Sequence, residues 1–452
     1  MDELGAADAL AAEAIRVLRT NDRGTWTRPS PRLYPHQWSW DAAFVAIGWA
    51  HFAPLRAVTE LRSLFRGQWS NGMVPQIVFD NGVALGAYEP RHTTWGTAGL
   101  CPPSVPTSGI CQPPVHAIAL ARVRTIAARC DGETRAEVDR AVVDLYPRLA
   151  AWHRWLHSAR DPDGTGLVTV FHPWESGLDN SPRWDEALAN VPVRVDSPGS
   201  RPDLAHVADA AERPTDEEYR RYFTLVHELV EVDYDPARSH RTHPFRMADV
   251  LFTAILAAAD DELAELAAVA GQPAAGERHR ADAELSRRGL DACWDPRRCA
   301  CLDRDLVADR WVASDTIAGF APLVAGCDGD RGEALALRLL GPSYAGAAAL
   351  RWAVPPTTAV TDPAFDHRSY WRGPTWPVIT WLLWWALDRD GHRTAADRLR
   401  TAALAQLRTS GCSEYADPVS GDPLGSTAQS WTAAVALDWL AHDPVAAPDL
   451  VS

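Results

Sequence analysis

Gln37-Trp38-Ser39-Trp40-Asp41 leads into an alanine-rich helical run over residues 41–66, and this pairing of an aromatic, polar leader with a helix decides the fold. The pairing recurs at Gly109-Ile110-Cys111-Gln112-Pro113-Pro114, at Tyr370-Trp371-Arg372-Gly373-Pro374-Thr375-Trp376-Pro377 and at Gln429-Ser430-Trp431. Helical periodicity covers 4–19, 41–66, 113–129, 135–158, 246–268, 276–290, 315–326, 331–340, 375–389, 393–408 and 430–441. Between the led helices lie alanine- and arginine-rich ones without leaders. An inner ring alternating with an outer ring puts every leader at one mouth, which predicts an all-α (α/α)6 barrel, or toroid. Proline in a leader suits a first helical turn, where its missing N–H costs nothing. Strand-like alternation is confined to short pieces such as Gly166-Leu167-Val168-Thr169-Val170. No Gly/Ser/Pro-rich linker divides the chain, so 1–452 reads as a single domain.

One stretch departs from the pattern. Residues 186–235 are polar and carry Pro192, Pro198, Pro202 and Pro214 before a helix near Thr215–Arg220. This predicts an insertion over the barrel mouth, either a mobile lid or a surface excursion.

Composition removes several function classes. The formal net charge of −15 argues against nucleic acid and anionic membranes as partners. No apolar run reaches the roughly 18 residues that a membrane-spanning helix needs. The start Met1-Asp2-Glu3-Leu4 is acidic, unlike a signal peptide, and eight scattered cysteines form no C-x-x-C pair. A cytoplasmic protein with free thiols and no zinc site is expected. Whether copies assemble into a homo-oligomer stays open.

Twenty tryptophans are an excess. Trp384 and Trp385 fall inside an apolar helix and read as core. Trp38, Trp40, Trp174, Trp184, Trp371 and Trp376 lie in or beside loops with acids, amides or proline. The loop Trp174-Glu175-Ser176-Gly177-Leu178-Asp179-Asn180-Ser181-Pro182-Arg183-Trp184-Asp185 holds three carboxylates and two indoles. Gly177 and Pro182 exclude a helix there. Indole faces stack on pyranose C–H surfaces, so the loop reads as the wall of a sugar pocket or, more plainly, as a surface turn.

Cleavage of a glycosidic bond needs one protonated and one free carboxyl group on opposite sides of the bond. Asp179, among indoles, glycine and proline, suits the acid, because apolar surroundings raise a carboxyl pKa. Glu175 is expected either to hold sugar hydroxyls or to shape the site. The second carboxylate is expected from Glu414 in Ser413-Glu414-Tyr415-Ala416-Asp417-Pro418, which otherwise reads as a surface glutamate. Asp417 reads as a turn residue before proline. Asp161-Pro162-Asp163-Gly164-Thr165-Gly166 lacks the later ligands of a calcium loop and reads as a tight turn. Motifs for serine hydrolases, zinc peptidases, phosphate loops and dinucleotide binding are missing.

Between about Tyr34 and Trp431 the chain resembles glycoside hydrolase family 63, in its bacterial branch of mannosylglycerate and glucosylglycerate hydrolases. The resemblance rests on Gln37–Asp41, on His172-Pro173-Trp174-Glu175-Ser176-Gly177-Leu178-Asp179-Asn180-Ser181-Pro182, on Tyr370–Trp376 and on Ser430-Trp431-Thr432. It implies Asp179 as general acid and Glu414 as general base of an inverting α-glycosidase that needs no metal or cofactor. It implies a sugar subsite of Tyr34, Trp38, Trp40, Asp41, Gln112, Trp174, Gly177, Tyr370, Trp371 and Trp376, to which Tyr88 and Gln429 are added. The family's insertion supplies an arginine and a tyrosine for a glycerate carboxylate, and Arg213 and Tyr219 occupy the matching places. For Arg213 the plainer alternative is an exposed ion pair with Glu212 or Glu217. The implied substrate is 2-O-α-D-glucosylglycerate. Mannosylglycerate, a neutral α-glucoside such as trehalose, and a non-catalytic carbohydrate-binding toroid are the alternatives.

Overall fold

The computed structural model describes residues 3–84, 86–196, 201–207, 209–327 and 329–442; for 3–8 and 206 it places the backbone alone. Met1 and Asp2 of the acidic start, and Pro198 of the expected insertion, lie outside these ranges.

The chain begins with helices α1 (Glu3–Asn21), α2 (Ser39–Ala50), α3 (Pro54–Phe65), α4 (His116–Ala127) and α5 (Gly132–Ala159). Three helices outside the rings follow: α6 (Asp185–Ala189), α7 (Asp216–Glu231) and α8 (Pro236–Thr242). The rings resume with α9 (Val250–Val269), α10 (Pro273–Ala292), α11 (Ala321–Ala325) and α12 (Gly329–Leu339). They close with α13 (Pro377–Arg389), α14 (Arg393–Ser410) and α15 (Ser430–His442).

Packing sorts the ring helices into two layers. Helices α2, α4, α9, α11, α13 and α15 each touch the next, and α15 returns to α2, so the inner ring is closed. Helices α3, α5, α10, α12, α14 and α1 cover it from outside. The fold is therefore an (α/α)6 toroid, as the alternation of leaders predicts. Inner helices are buried all round: every residue of α2 is buried, and so is nearly all of α15. Such helices must be apolar on every face, which explains why their sequences show no amphipathic stripe. Gly48 of α2 sits against the Ala434 backbone of α15, where a Cβ would collide.

Two buried carboxylates tie helices together, Asp438 within the inner ring and Asp260 between the two rings. Asp438 of α15 accepts hydrogen bonds from Arg122 of α4 (3.0 Å), the His51 ring (2.9 Å) and Trp381 of α13 (2.9 Å). Asp260 of α9 is bonded by His153 and His157 of outer helix α5 (2.6 and 2.7 Å). Despite burial, these partners hold its carboxyl down at about 2.

Three expectations need correction. The run 41–66 is two helices, because Pro54 takes the first position of α3 after a turn at residues 51–53. The run 315–326 is a 3-10 turn (Ile317–Phe320) followed by the short α11. The excursion from the rings is wider than 186–235: it fills the whole interval between α5 and α9, including α8. Within it, α7 starts at a capping box between Thr215 and Glu218 and buries Tyr222, Leu225, Val226 and Leu229. It is thus a packed wall of the mouth. A small antiparallel sheet joins Thr169–Val170 and Met247–Ala248 of this interval to Arg304–Asp305 and Arg310–Trp311. The Asp161–Gly166 segment is the expected tight turn, with Asp161 accepting from the Thr165 and Gly166 amides. None of the eight cysteines is in a disulfide, and no described helix is long and apolar enough to cross a membrane.

Candidate active site

The leaders meet at the N-terminal ends of the inner helices. Trp38, Trp40 and Asp41 come from the start of α2, Gln112 from just before α4, Tyr370 and Trp371 from before α13, and Gln429 from the residue preceding α15. They surround a pocket of about 970 Å³ counting its mouth, within the range of small-ligand sites. Trp174, Gly177 and Asp179 enter from the loop after α5, and Arg213 and Tyr219 from the excursion. Tyr88 arrives from a second excursion between α3 and α4, which also contributes Gln76 and Glu89.

The aromatic floor is built in depth. Trp371 lines the pocket, while Trp376 lies behind it, stacked at 3.5 Å between ring centres and in turn against Tyr415 at 4.5 Å. The expected place of Trp376 in the pocket wall is therefore corrected: it backs the wall. Trp431 instead faces the pocket. Tyr370 has φ of +32°, a conformation unfavourable for a bulky residue. It is retained by Trp376 Nε1 donating to the Tyr370 carbonyl (3.0 Å) and by the Tyr34–Tyr370 hydroxyl contact (3.0 Å). Asn180 ties this corner to the acidic loop by accepting from the Trp371 amide (3.0 Å). Gly177 has φ of +76°, and a Cβ there would come within 2.7 Å of the Trp40 ring, so glycine alone lets the loop close on that indole.

Asp179 lines the pocket, and among the described contacts no other residue bonds its side chain. Burial raises its pKa to about 7, against the pull of Arg213 and aided by the negative charge of Glu414. Asp41 is likewise pushed well above the usual carboxylate range, chiefly by burial and further by Glu414 and Asp179. Glu414 is fully buried beneath the pocket surface. It accepts from Tyr34 Oη (2.7 Å) and the Ser426 amide (3.0 Å), with Arg213 Nη1 at 3.9 Å. Gly425 makes that approach possible, because a Cβ there would strike the Glu414 carboxylate.

Arg213 is buried and bonds Tyr34 Oη (2.9 Å) while lying 4.5 Å over the Tyr370 ring. The exposed-pair alternative is excluded: Glu212 binds Arg368, and Glu217 binds Arg220 and Arg221. Among the described residues Arg213 Nε has no hydrogen-bond partner, and neither do the two amide ends of buried Gln429 or the Gln76 carbonyl oxygen. These are buried polar atoms that a polar ligand would satisfy. Glu175 points away from the pocket. It is saturated by Arg160 (3.0 Å for one of two contacts), the Phe171 amide (2.7 Å) and the Cys111 amide (3.3 Å). Of its two expected roles, shaping the site is the one observed. Asp417 is the turn residue expected, accepting from the Val419 amide (2.8 Å).

Sequence reasoning missed Gln76, Asp203, Phe223 and Trp431 as lining residues. Trp431 had a usable signal, since it sits in the last leader. Asp203 had none, being one acid in a polar insertion.

An aromatic pocket at the mouth of an (α/α)6 toroid, with one carboxyl protonating near pH 7 and a second buried below it, defines a glycoside hydrolase. Residues 34–432 match the mannosylglycerate hydrolase MGH1-like glycoside hydrolase domain, and the chain belongs to that family, within glycoside hydrolase family 63. It is 44% identical over 436 residues to the glucosylglycerate hydrolase of Mycolicibacterium hassiacum, covering 95% of this chain and 97% of that protein. It is 41% identical over 437 residues to the mannosylglycerate hydrolase of Rubrobacter radiotolerans, covering 95% and 96%. The structure of the family 63 mannosylglycerate hydrolase from Thermus thermophilus in complex with Tris and D-glycerate superposes with a TM-score of 0.86. Identity to it is 38%, over 95% of this chain and 99% of that one.

Proposed function

We propose that the protein is an inverting α-glycosidase that hydrolyses 2-O-α-D-glucosylglycerate to glucose and D-glycerate. The observation that carries this reading is the contrast between a carboxyl that lines the pocket and one buried beneath it. Asp179 is bonded by no other described side chain and has a pKa of about 7, and Glu414 is pinned by Tyr34, Ser426 and Arg213. Asp179 gives its proton to the departing glycerate oxygen. Glu414 takes a proton from the water that attacks the anomeric carbon from the opposite face. One glycosidic bond breaks, one C–O bond forms, and the configuration inverts without a covalent intermediate. Asp41, its pKa raised by burial, is placed to hydrogen-bond sugar hydroxyls, and Gln429 supplies an amide with both ends free. The unpartnered Arg213 Nε receives the glycerate carboxylate, with Tyr219 beside it. Residues 1–452 act as one catalytic domain in this reading, with 186–235 as part of the wall that covers its pocket. A cytoplasmic setting is part of this reading.

Glucose is preferred over mannose in the proposal because the relative at 44% identity is named for glucosylglycerate, and those at 38–41% for mannosylglycerate. The test is an NMR time course with glucosylglycerate, mannosylglycerate and trehalose side by side. β-Glucose as the first anomer, from glucosylglycerate ahead of the other two, is the expected result. α-Glucose appearing first refutes inversion, and faster cleavage of trehalose refutes the anionic aglycone.

A further inference from the structure

The pocket carries an unusual charge balance. Among its described lining residues Arg213 is the one cation, whereas Asp41, Glu89, Asp179 and Asp203 are all carboxyls. Burial raises the pKa of Asp41 and, to about 7, that of Asp179, and Glu89 is paired with Arg91 (2.7 Å). Asp203 behaves in the opposite way. Burial pushes its carboxyl up, but bonds from Arg201 and the nearby charge of Arg213 outweigh burial and hold it below the usual range.

Asp203 is also fixed in space. Arg201 grips it with two bonds, Nε to Oδ1 (2.9 Å) and Nη2 to Oδ2 (2.7 Å). The same guanidinium lies 3.6 Å over the Tyr219 ring and binds Asp216 (2.8 Å) and the Pro214 carbonyl (3.0 Å), so most of its N–H groups are engaged within the protein. Tyr219 Oη donates to Asp203 Oδ2 (3.3 Å). These contacts use three of the roughly four lone-pair positions of a carboxylate, leaving one for a ligand donor.

We propose that Asp203 is a specificity-determining residue at the aglycone end of the pocket: it accepts the free hydroxyl of a monoanionic hydroxy-acid aglycone and excludes aglycones with a second negative charge. This rests on the reading above, in which Arg213 takes the one carboxylate of glycerate. A second anion, such as a phosphate ester on the free glycerate hydroxyl, meets a fixed carboxylate and finds no uncommitted cation among the described lining residues. Close like charges across a desolvated contact are strongly unfavourable.

The test compares kcat/KM for glucosylglycerate and for the same glycoside phosphorylated on its free glycerate hydroxyl, in the wild type, Asp203→Asn and Asp203→Ser. The wild type should strongly disfavour the phosphorylated substrate. Either variant should shift the ratio toward it by about tenfold or more, the scale expected for removing one close like charge. An unchanged ratio in both variants, or a wild type that cleaves both substrates equally, overturns the proposal. A second readout needs no variant. Free D-glycerate should inhibit the wild type more strongly than its phosphate ester, and equal inhibition overturns the proposal as well. A wild type inactive on glucosylglycerate itself refutes the function reading instead, so the two failures are distinguishable.

Discussion

Glu175 and Asp179 stand four residues apart in one loop and have opposite fates. Glu175 is fully buried and saturated by a guanidinium and two backbone amides. Asp179 is turned to the pocket, and no other described residue bonds its side chain, so burial lifts its pKa to about 7. The difference teaches how one loop provides both a structural staple and a reactive acid. Glu175, with both oxygens taken by the guanidinium and the two amides, has no capacity left for chemistry. A carboxyl deprived of such donors keeps its proton at neutral pH and can deliver it.

The comparison breaks first on turnover. Asp179→Asn should lower kcat by about a thousandfold, within the range for loss of a general acid, while circular dichroism stays that of the wild type. Turnover of glucosylglycerate within about tenfold of normal would remove Asp179 from the mechanism, since general acids contribute more than that.

Glu175→Gln should act through the fold. Arg160 is 6% exposed and loses its counter-charge within a buried pair. Removing one partner of such a pair costs about 3–5 kcal/mol. Chemical denaturation should report that loss, and the fraction that remains folded should retain most of its kcat. A variant as stable as the wild type but inactive would make Glu175 the reactive group and reverse the comparison.

The sequence separates these two carboxylates only halfway. The leaders are legible because Trp38, Trp40, Trp371 and Gln429 stand at or shortly before the starts of inner helices, and the position of a leader on its helix fixes which end of the barrel it reaches. The break at Pro54 carries a signal, since proline takes the first turn of a helix, yet the apolar period runs across it. Depth is what sequence does not encode. Trp371 and Trp376 are both leader tryptophans, and only tertiary stacking puts one in the pocket wall and the other behind it. Glu175 and Asp179 look alike for the same reason, because Arg160 lies fifteen residues from its partner and nothing local pairs them. Arg213 is placed by resemblance, and its burial against Tyr34 and Tyr370 comes from chain segments far apart in sequence.

The smallest expected effect is the sharpest, because the two carboxyls should differ in sign. Below about pH 4 Asp179 is protonated in both the folded and the unfolded chain and contributes nothing to pH-dependent stability. Between its ordinary value of 3.8 and about 7 the unfolded chain ionises while the folded protein keeps the proton, so wild-type stability falls as pH rises through that window. Asparagine cannot ionise. Asp179→Asn should therefore melt a few degrees above the wild type at about pH 8 and together with it at about pH 4. The same titration should make wild-type kcat/KM decline about tenfold per pH unit above about 7, as the acid is lost. Glu175→Gln, by contrast, should melt below the wild type at about pH 8, because there a buried charge has lost its partner. If Asp179→Asn also melts lower under those conditions, Asp179 is a staple like its neighbour, and its proton is not available for the leaving group.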